Sequence, residues 1–140
     1  MCIRDRIHSR PLGLAQERLT QVRGDVRQRD DVRNALGESD AVLCLATTKE
    51  DPETFFDVSI RGTFNILDEC RQRGGVKQLI LAGGDAAVGI WFYPHTEPIN
   101  ERHALMAYPG YYAFSKVIEE VMAGQYAIQY DLPVTTLRMS

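Results

Sequence analysis

Cysteine is scarce in this sequence and follows no pairing pattern. Cys2, Cys44 and Cys70 are odd in number and share no motif spacing, so neither a disulfide framework nor a thiolate centre is expected. Cys44 lies in an apolar run and Cys70 near a helix end, where each reads as a small buried hydrophobe. His8, His95 and His103 also lack ligand spacing, so no metal site is expected. No apolar run approaches the ~20 residues that cross a bilayer, and the first residues lack the apolar segment of a secretion signal. No membrane partner is expected, and a cytoplasmic protein is. Charge of one sign is lacking too: 16 Lys and Arg are interspersed with 19 Asp and Glu for a net −3, which argues against a nucleic-acid partner. There is no internal repeat and no low-complexity segment. The 11 glycines include no glycine-rich turn of the kind that opens a helix onto a phosphate.

What is present, in 140 residues, is enough for one domain at most. Met1 to Arg6 has no capping, turn or periodic logic and resembles a translated sequencing adaptor. Residues 1–9 are therefore expected to be a non-native or disordered lead, and the native protein to begin upstream. A polar connection over Arg10 to Gln16 leads to a half-buried strand, Leu19 to Arg23, closed by Gly24 and Asp25. Asp30 to Leu36 predicts a short helix with acids in its first turn and Gly37 as its stop. Ala41 to Ala46 is a continuous apolar run, the pattern of a parallel strand covered on both faces. Pro52 suits the first turn of a helix reaching Arg73 and ended by Gly74 and Gly75. Gly62 falls inside that helix at a cost of about 1 kcal/mol relative to alanine, which suggests a close approach there or a tolerated surface glycine. Val76 to Ala82 is a second buried strand, 83–108 a long loop with one turn at 100–105, Gly110 to Tyr130 a helix, and Pro133 to Met139 a final strand. Strands alternating with helices imply crossover units, hence an α/β fold with a parallel sheet.

The helix after Pro109 and Gly110 carries Tyr112 and Lys116, four residues apart and so stacked on one face. A free tyrosine titrates near pH ~10. A neighbouring ammonium and the positive end of a helix both favour the phenolate, which would let a tyrosine give and take a proton near neutrality. The plain alternative is a packed aromatic beside a solvated lysine.

The landmarks taken in order resemble the extended short-chain dehydrogenase/reductase family, of the NAD-dependent epimerase/dehydratase type. Gly24-Asp25-Val26 is similar to the family's Gly-Asp-aliphatic turn near the adenine. Leu45-Ala46-Thr47 is similar to the strand end that lies against the cofactor, and Lys49 falls where some members place a lysine. The run 57–63 resembles the Asn-aliphatic-x-Gly-Thr motif, with Ser59 where asparagine is usual. Tyr112-Ala113-Phe114-Ser115-Lys116 is similar to Tyr-x-x-x-Lys, and Leu137-Arg138 to a Leu-Arg strand end. None is specific alone; their order and intervals carry the resemblance. It implies an NAD or NADP cofactor held by Asp25, Val26, Leu45, Ala46, Thr47, Lys49, Ala82, Tyr112 and Lys116. It also implies a small-molecule substrate reacting at a hydroxyl or carbonyl carbon, a nucleotide sugar being the family's type, and a homodimer when full length. Tyr112 would be the acid/base, and Lys116 would hold the ribose and lower the tyrosine pKa. Phe114, Val117, Val121 and Tyr126 would be candidates for the dimer seam or for packing on the chain's own sheet.

Two departures limit the resemblance. Counting back from Gly89, Gly84 stands where members carry a serine or threonine whose hydroxyl orients the substrate, so Gly84, Asp85 and Ala86 become the candidate substrate contacts, with Asp85 or Thr96 as a substitute donor. A non-catalytic NAD(P)-binding sensor or scaffold is the alternative this leaves open. The glycine-rich pyrophosphate turn is also missing. Residues 10–140 are therefore expected to be a partial dinucleotide-binding domain, a Rossmann-like doubly wound parallel sheet without its first βαβ strands and without the C-terminal substrate lobe. The missing strands belong between Leu19–Arg23 and Ala41–Ala46, so a gap or improvised pairing and an exposed edge are expected there. Such a fragment is expected to bind dinucleotide weakly or not at all and to be inactive. Trp91, with Phe92 and Tyr93, either anchors its loop on the core or lines a substrate pocket.

Overall fold

In the computed structural model, which describes residues 2–5 and 21–139, the chain begins with β1 (Cys2–Asp5), paired in parallel with β2 (Gln21–Gly24). The polar connection over 10–16 and the first two residues of the expected strand at Leu19 lie outside the described residues, whereas a strand stands at 2–5, where none was expected from the sequence. A turn leads to α1 (Arg29–Leu36), then β3 (Ala41–Cys44). A π-helical segment, Phe55–Arg61, runs directly into α2 (Gly62–Arg73). β4 (Gln78–Gly84) ends in a 3-10 turn, Asp85–Val88, and a long loop leads to α3 (Tyr111–Tyr130) and β5 (Val134–Met139). β3, β4 and β5 form one parallel sheet in that order, and β1 and β2 form a separate pair. This is a partial doubly wound α/β fold, and the break between β2 and β3 is the expected gap.

The core lies on one face of the three-stranded sheet. Val42, Cys44, Leu79 and Leu81 point into it and meet Val58, Ile66, Leu67 and Cys70 from the crossover. The opposite face does not match the expectation of a strand covered on both sides. Leu43 and Leu45 are 55% and 59% exposed, and Leu137 and Met139, on the same face by register, are about half exposed. The alternation of buried and exposed residues along β3 is that of a sheet with one uncovered face.

The single helix expected over Pro52 to Arg73 is corrected to turns, a π-helical stretch and an α-helix. The wider turns end where Gly62 donates its N–H to the carbonyls of Asp57 and Ser59. They also turn Ser59 fully inward, where its hydroxyl accepts the N–H of Thr48 at 3.0 Å in the loop after β3. Single π turns inside helices commonly accompany functional sites. Gly62 is buried, and a Cβ there would stand 2.7 Å from Cγ2 of Val26. Close approach, not surface tolerance, accounts for this glycine.

Charged side chains tie the helices together. Glu69, 3% exposed, accepts from Arg29 at 3.0 Å and from Arg33 at 2.9 Å. Asp68 accepts from Arg29, from Arg71 at 2.7 Å and from the Tyr126 hydroxyl at 3.3 Å. Burial pushes both carboxyls up, but hydrogen bonds from the guanidinium groups outweigh it and leave both below the usual carboxylate range. At the far end Arg138 donates to Glu120 at 2.6 Å, fixing the end of β5 to α3. Among the described residues no helix is long and apolar enough to cross a membrane.

Candidate active site

The carboxyl ends of β3 and β4 and the amino end of α3 meet at one edge of the sheet, the place where open α/β sheets present their ligand sites. Glu50, in the loop after β3, accepts the N–H of Tyr111 at 2.8 Å and of Tyr112 at 3.3 Å. It therefore caps α3 from 61 residues away in the chain. Gly110, at φ 148°, leaves the room this needs: a Cβ there would stand 2.8 Å from the Glu50 carboxylate. The loop that contains Leu45, Ala46, Thr47 and Lys49 is thereby joined to the first turn of the helix bearing Tyr112. Leu45, Thr47 and Lys49 are exposed, and Ala46 is half-buried.

Tyr112 and Lys116 lie on one face of α3, as their spacing requires. The Lys116 ammonium stands 5.5 Å from the centre of the Tyr112 ring. It is only 3% exposed, and it donates to the Ala82 carbonyl and to Oε2 of Glu119, each at 2.9 Å. The plain alternative of a solvated lysine is thus excluded. Ser115, fully buried beneath them, donates its hydroxyl to the Tyr112 carbonyl at 2.9 Å.

Gly84 closes the other side. A Cβ built on it would lie 3.5 Å from the Tyr112 hydroxyl and 3.9 Å from Cγ of Lys116. The residue that lacks a side-chain donor is therefore the one facing the phenol. Asp85 begins the 3-10 turn beside it, and its carboxylate accepts the indole N–H of Trp91 at 3.2 Å. Ala86 is 1% exposed, so its side chain belongs to the core, and Thr96 is exposed on the loop. Trp91 itself is 78% exposed, which corrects the option of a tryptophan anchored on the core. Its loop is held instead by Phe92 stacked on Tyr108 at 4.6 Å and by the Tyr93 hydroxyl bonded to the Ala107 carbonyl at 3.1 Å. Burial pushes the Tyr108 phenol up, with the charges of Glu50 and Asp85 adding to it.

Asp25 and Val26 form the turn between β2 and α1; the Asp25 N–H donates to the Asp31 carboxylate of α1 at 2.9 Å, and Val26 is joined to α2. The Asp25 carboxylate pairs with the Arg27 guanidinium at 2.6 Å, which holds it below the usual range. The Val26 carbonyl accepts from the buried Asn65 amide at 2.8 Å. Two residues of this edge carried no sequence signal. Glu50 reaches its partners across the fold, and Glu119 looks in sequence like one more charge on a helix. Yet Glu119 is fully buried, its Oε1 has no hydrogen-bond partner, and burial pushes its carboxyl up against the pull of the Lys116 ammonium. Among the described residues no group of three or more His, Cys, Asp or Glu could hold a metal ion.

This edge can exchange a proton through the Tyr112 hydroxyl, beside a fixed ammonium and a bare backbone at Gly84. The profile of the NAD dependent epimerase/dehydratase family matches residues 2–140. Protein CapI of Staphylococcus aureus is 36% identical over 90 residues, which are 64% of this chain and 25% of CapI. Among solved structures, a mutated uronate dehydrogenase superposes with a TM-score of 0.81 at 25% identity, covering 91% of this chain and 46% of that one. The UDP-glucose 4-epimerase of Thermus thermophilus, in complex with NAD, does so with 0.76 at 28% identity, covering 89% and 42%. The chain thus spans less than half the length of the relatives it matches.

Proposed function

The chain belongs to the NAD dependent epimerase/dehydratase family, and from that premise we propose that the whole protein is an NAD-dependent oxidoreductase or epimerase acting on a hydroxyl or carbonyl carbon of a sugar or nucleotide sugar. The observation that carries this reading is the Tyr112 hydroxyl set beside the buried Lys116 ammonium, at the sheet edge where β3 and β4 end. NAD, the cofactor held by the T. thermophilus relative, would accept or return the hydride when bound. Lys116 and the loop 45–49 would hold its nicotinamide half, and Asp25 and Val26 its adenine end. The Asp25 carboxylate is bonded to Arg27 in this structure, and the donor set for the pyrophosphate is not among the described residues.

The chain's own residues account for the proton. Tyr112 accepts a proton from the substrate hydroxyl when the carbon is oxidised and returns it when the carbonyl is reduced. The Lys116 ammonium, held in place by Ala82, stabilises the phenolate that must be present before Tyr112 accepts the proton and that forms again when it returns it. Glu50 fixes the first turn of α3 and so the direction in which Tyr112 points. The whole protein should act on uronates or UDP-sugars in the presence of NAD. A panel of both substrate classes with no turnover of either would remove the reading.

Gly84 favours a second reading, a non-catalytic NAD(P)-binding sensor or scaffold, since no side-chain donor faces Tyr112 from β4. Nucleotide binding with no turnover on that panel would select it. We also propose that the whole protein dimerises through the crossover helix and α3. Phe56, Phe114 and Val121 are about half exposed there, and Phe55 packs on Tyr111 with ring centres at 4.8 Å. The 140 residues alone are proposed to be inactive, since they contain no glycine-rich turn.

A further inference from the structure

We propose that Glu119 is a positioning residue for the Tyr112–Lys116 pair, a buried counter-ion that fixes the lysine ammonium at the end of β4. The inference deepens the proposed function and rests on it. Oε2 of Glu119 stands 2.9 Å from Nζ of Lys116, and the Ala82 carbonyl stands at the same distance. An ammonium has three donors. Two are turned toward the core here, so one is left for a ligand on the Tyr112 side. Lysine carries a long flexible stem, and without Glu119 a single carbonyl would hold its end.

Packing alone does not account for a carboxylate at this position. Glu119 is fully buried, and Oε1 goes without a partner. A buried polar atom left unsatisfied costs stability, and two apolar residues in place of the Lys116–Glu119 pair would serve the fold as well or better. Residues that break such rules cluster at functional sites. The titratable and polar groups facing Glu119 are Lys116 and Ser115 on α3 and Cys44 on β3. Burial raises the Cys44 thiol to about 11, so Cys44 stays uncharged through the acid and neutral range.

The test is NMR of the 140-residue chain with labelled lysine and glutamate, Lys116 being assigned through Lys116→Arg. The Lys116 ammonium signal should be protected from exchange and should shift as the Glu119 carboxyl titrates. Glu119→Gln should abolish that shift and speed exchange at least tenfold, and Glu119→Asp should restore part of the protection. An unchanged Lys116 signal in a folded Glu119→Gln chain overturns the proposal. If that variant does not fold, a wild-type Lys116 signal that ignores the Glu119 titration overturns it equally. In the whole protein Glu119→Gln should change the pH profile of turnover as well as kcat, and an unchanged profile counts against the role. Absence of any turnover in the wild type would sink the proposed function instead, while the lysine signal would still decide whether Glu119 holds Lys116.

Discussion

At the scale of single residues, the least ordinary feature of the site is a missing side chain. Gly84 has an extended backbone at φ −161°, which any residue adopts, and its absent Cβ would sit in ordinary contact with the Tyr112 hydroxyl at 3.5 Å. Gly84→Ser should therefore fold with a stability change within about 1 kcal/mol. In the whole protein it should raise kcat about tenfold or more, because one well-placed donor at a reacting oxygen is worth ~10²–10³ in rate. Equal or lower turnover in a folded variant would show that the active geometry does not want a hydroxyl there. A second expectation concerns the thiols. Burial pushes Cys44 to about 11 and Cys70 to about 12, so both should resist a thiol reagent at pH 8 in native Cys2→Ser protein and react on unfolding. Rapid labelling of the native protein would contradict their burial. The Tyr112–Lys116 pair was legible because helical spacing is local. Glu50 and Glu119 were not, since nothing local distinguishes a buried carboxylate from a solvated one.

At the scale of elements, the crossover from β3 to β4 sets the geometry of the turn at Asp25 and Val26. Adding a methyl group at Gly62 gains about 1 kcal/mol of helix propensity, but the new Cβ would stand 2.7 Å from the Val26 side chain, and overpacking costs about 1–3 kcal/mol. Gly62→Ala should therefore be neutral to destabilising by about 2 kcal/mol and should move the Asp25 and Val26 amide signals. A clear stabilisation with those signals unmoved would mean that the contact is absent. Glu69 and Asp68 predict a pH dependence. Their folded pKa values lie below the usual carboxylate range, so the stability they contribute is present above the unfolded values of ~4 and is lost as pH falls through the folded ones. Glu69→Gln should lower the melting temperature at pH 7, and the gap from wild type should narrow as pH drops below ~4. A gap that is constant with pH would remove the ion pairs as its cause. Element types were readable from apolar periodicity and from Gly and Pro punctuation. The π-helical stretch was not, because periodicity over seven residues hardly separates 3.6 from a wider turn, and only the tertiary contacts of Ser59 and Gly62 locate it.

At the scale of the molecule, two separate strand sets and one uncovered sheet face describe part of a larger fold. Leu43, Leu45, Leu137 and Met139 form an apolar face that water touches. Patches of this kind promote association, and β3, an edge strand of its sheet among the described residues, adds a strand-pairing surface. Light scattering of the 140 residues should show association that grows with concentration, and Leu43→Lys with Leu137→Lys should reduce it; a monomer at every concentration would contradict this. The order of elements made the fold class legible, whereas the open face was not, since an apolar run reads the same whether or not a layer covers it. The central claim remains that Tyr112 moves the proton. Its most direct test is steady-state kinetics of the whole protein and its Tyr112→Phe variant with NAD and the substrate found on the panel. The account predicts that kcat falls by about 10² or more while NAD affinity changes little. Unchanged kcat in the variant would contradict it.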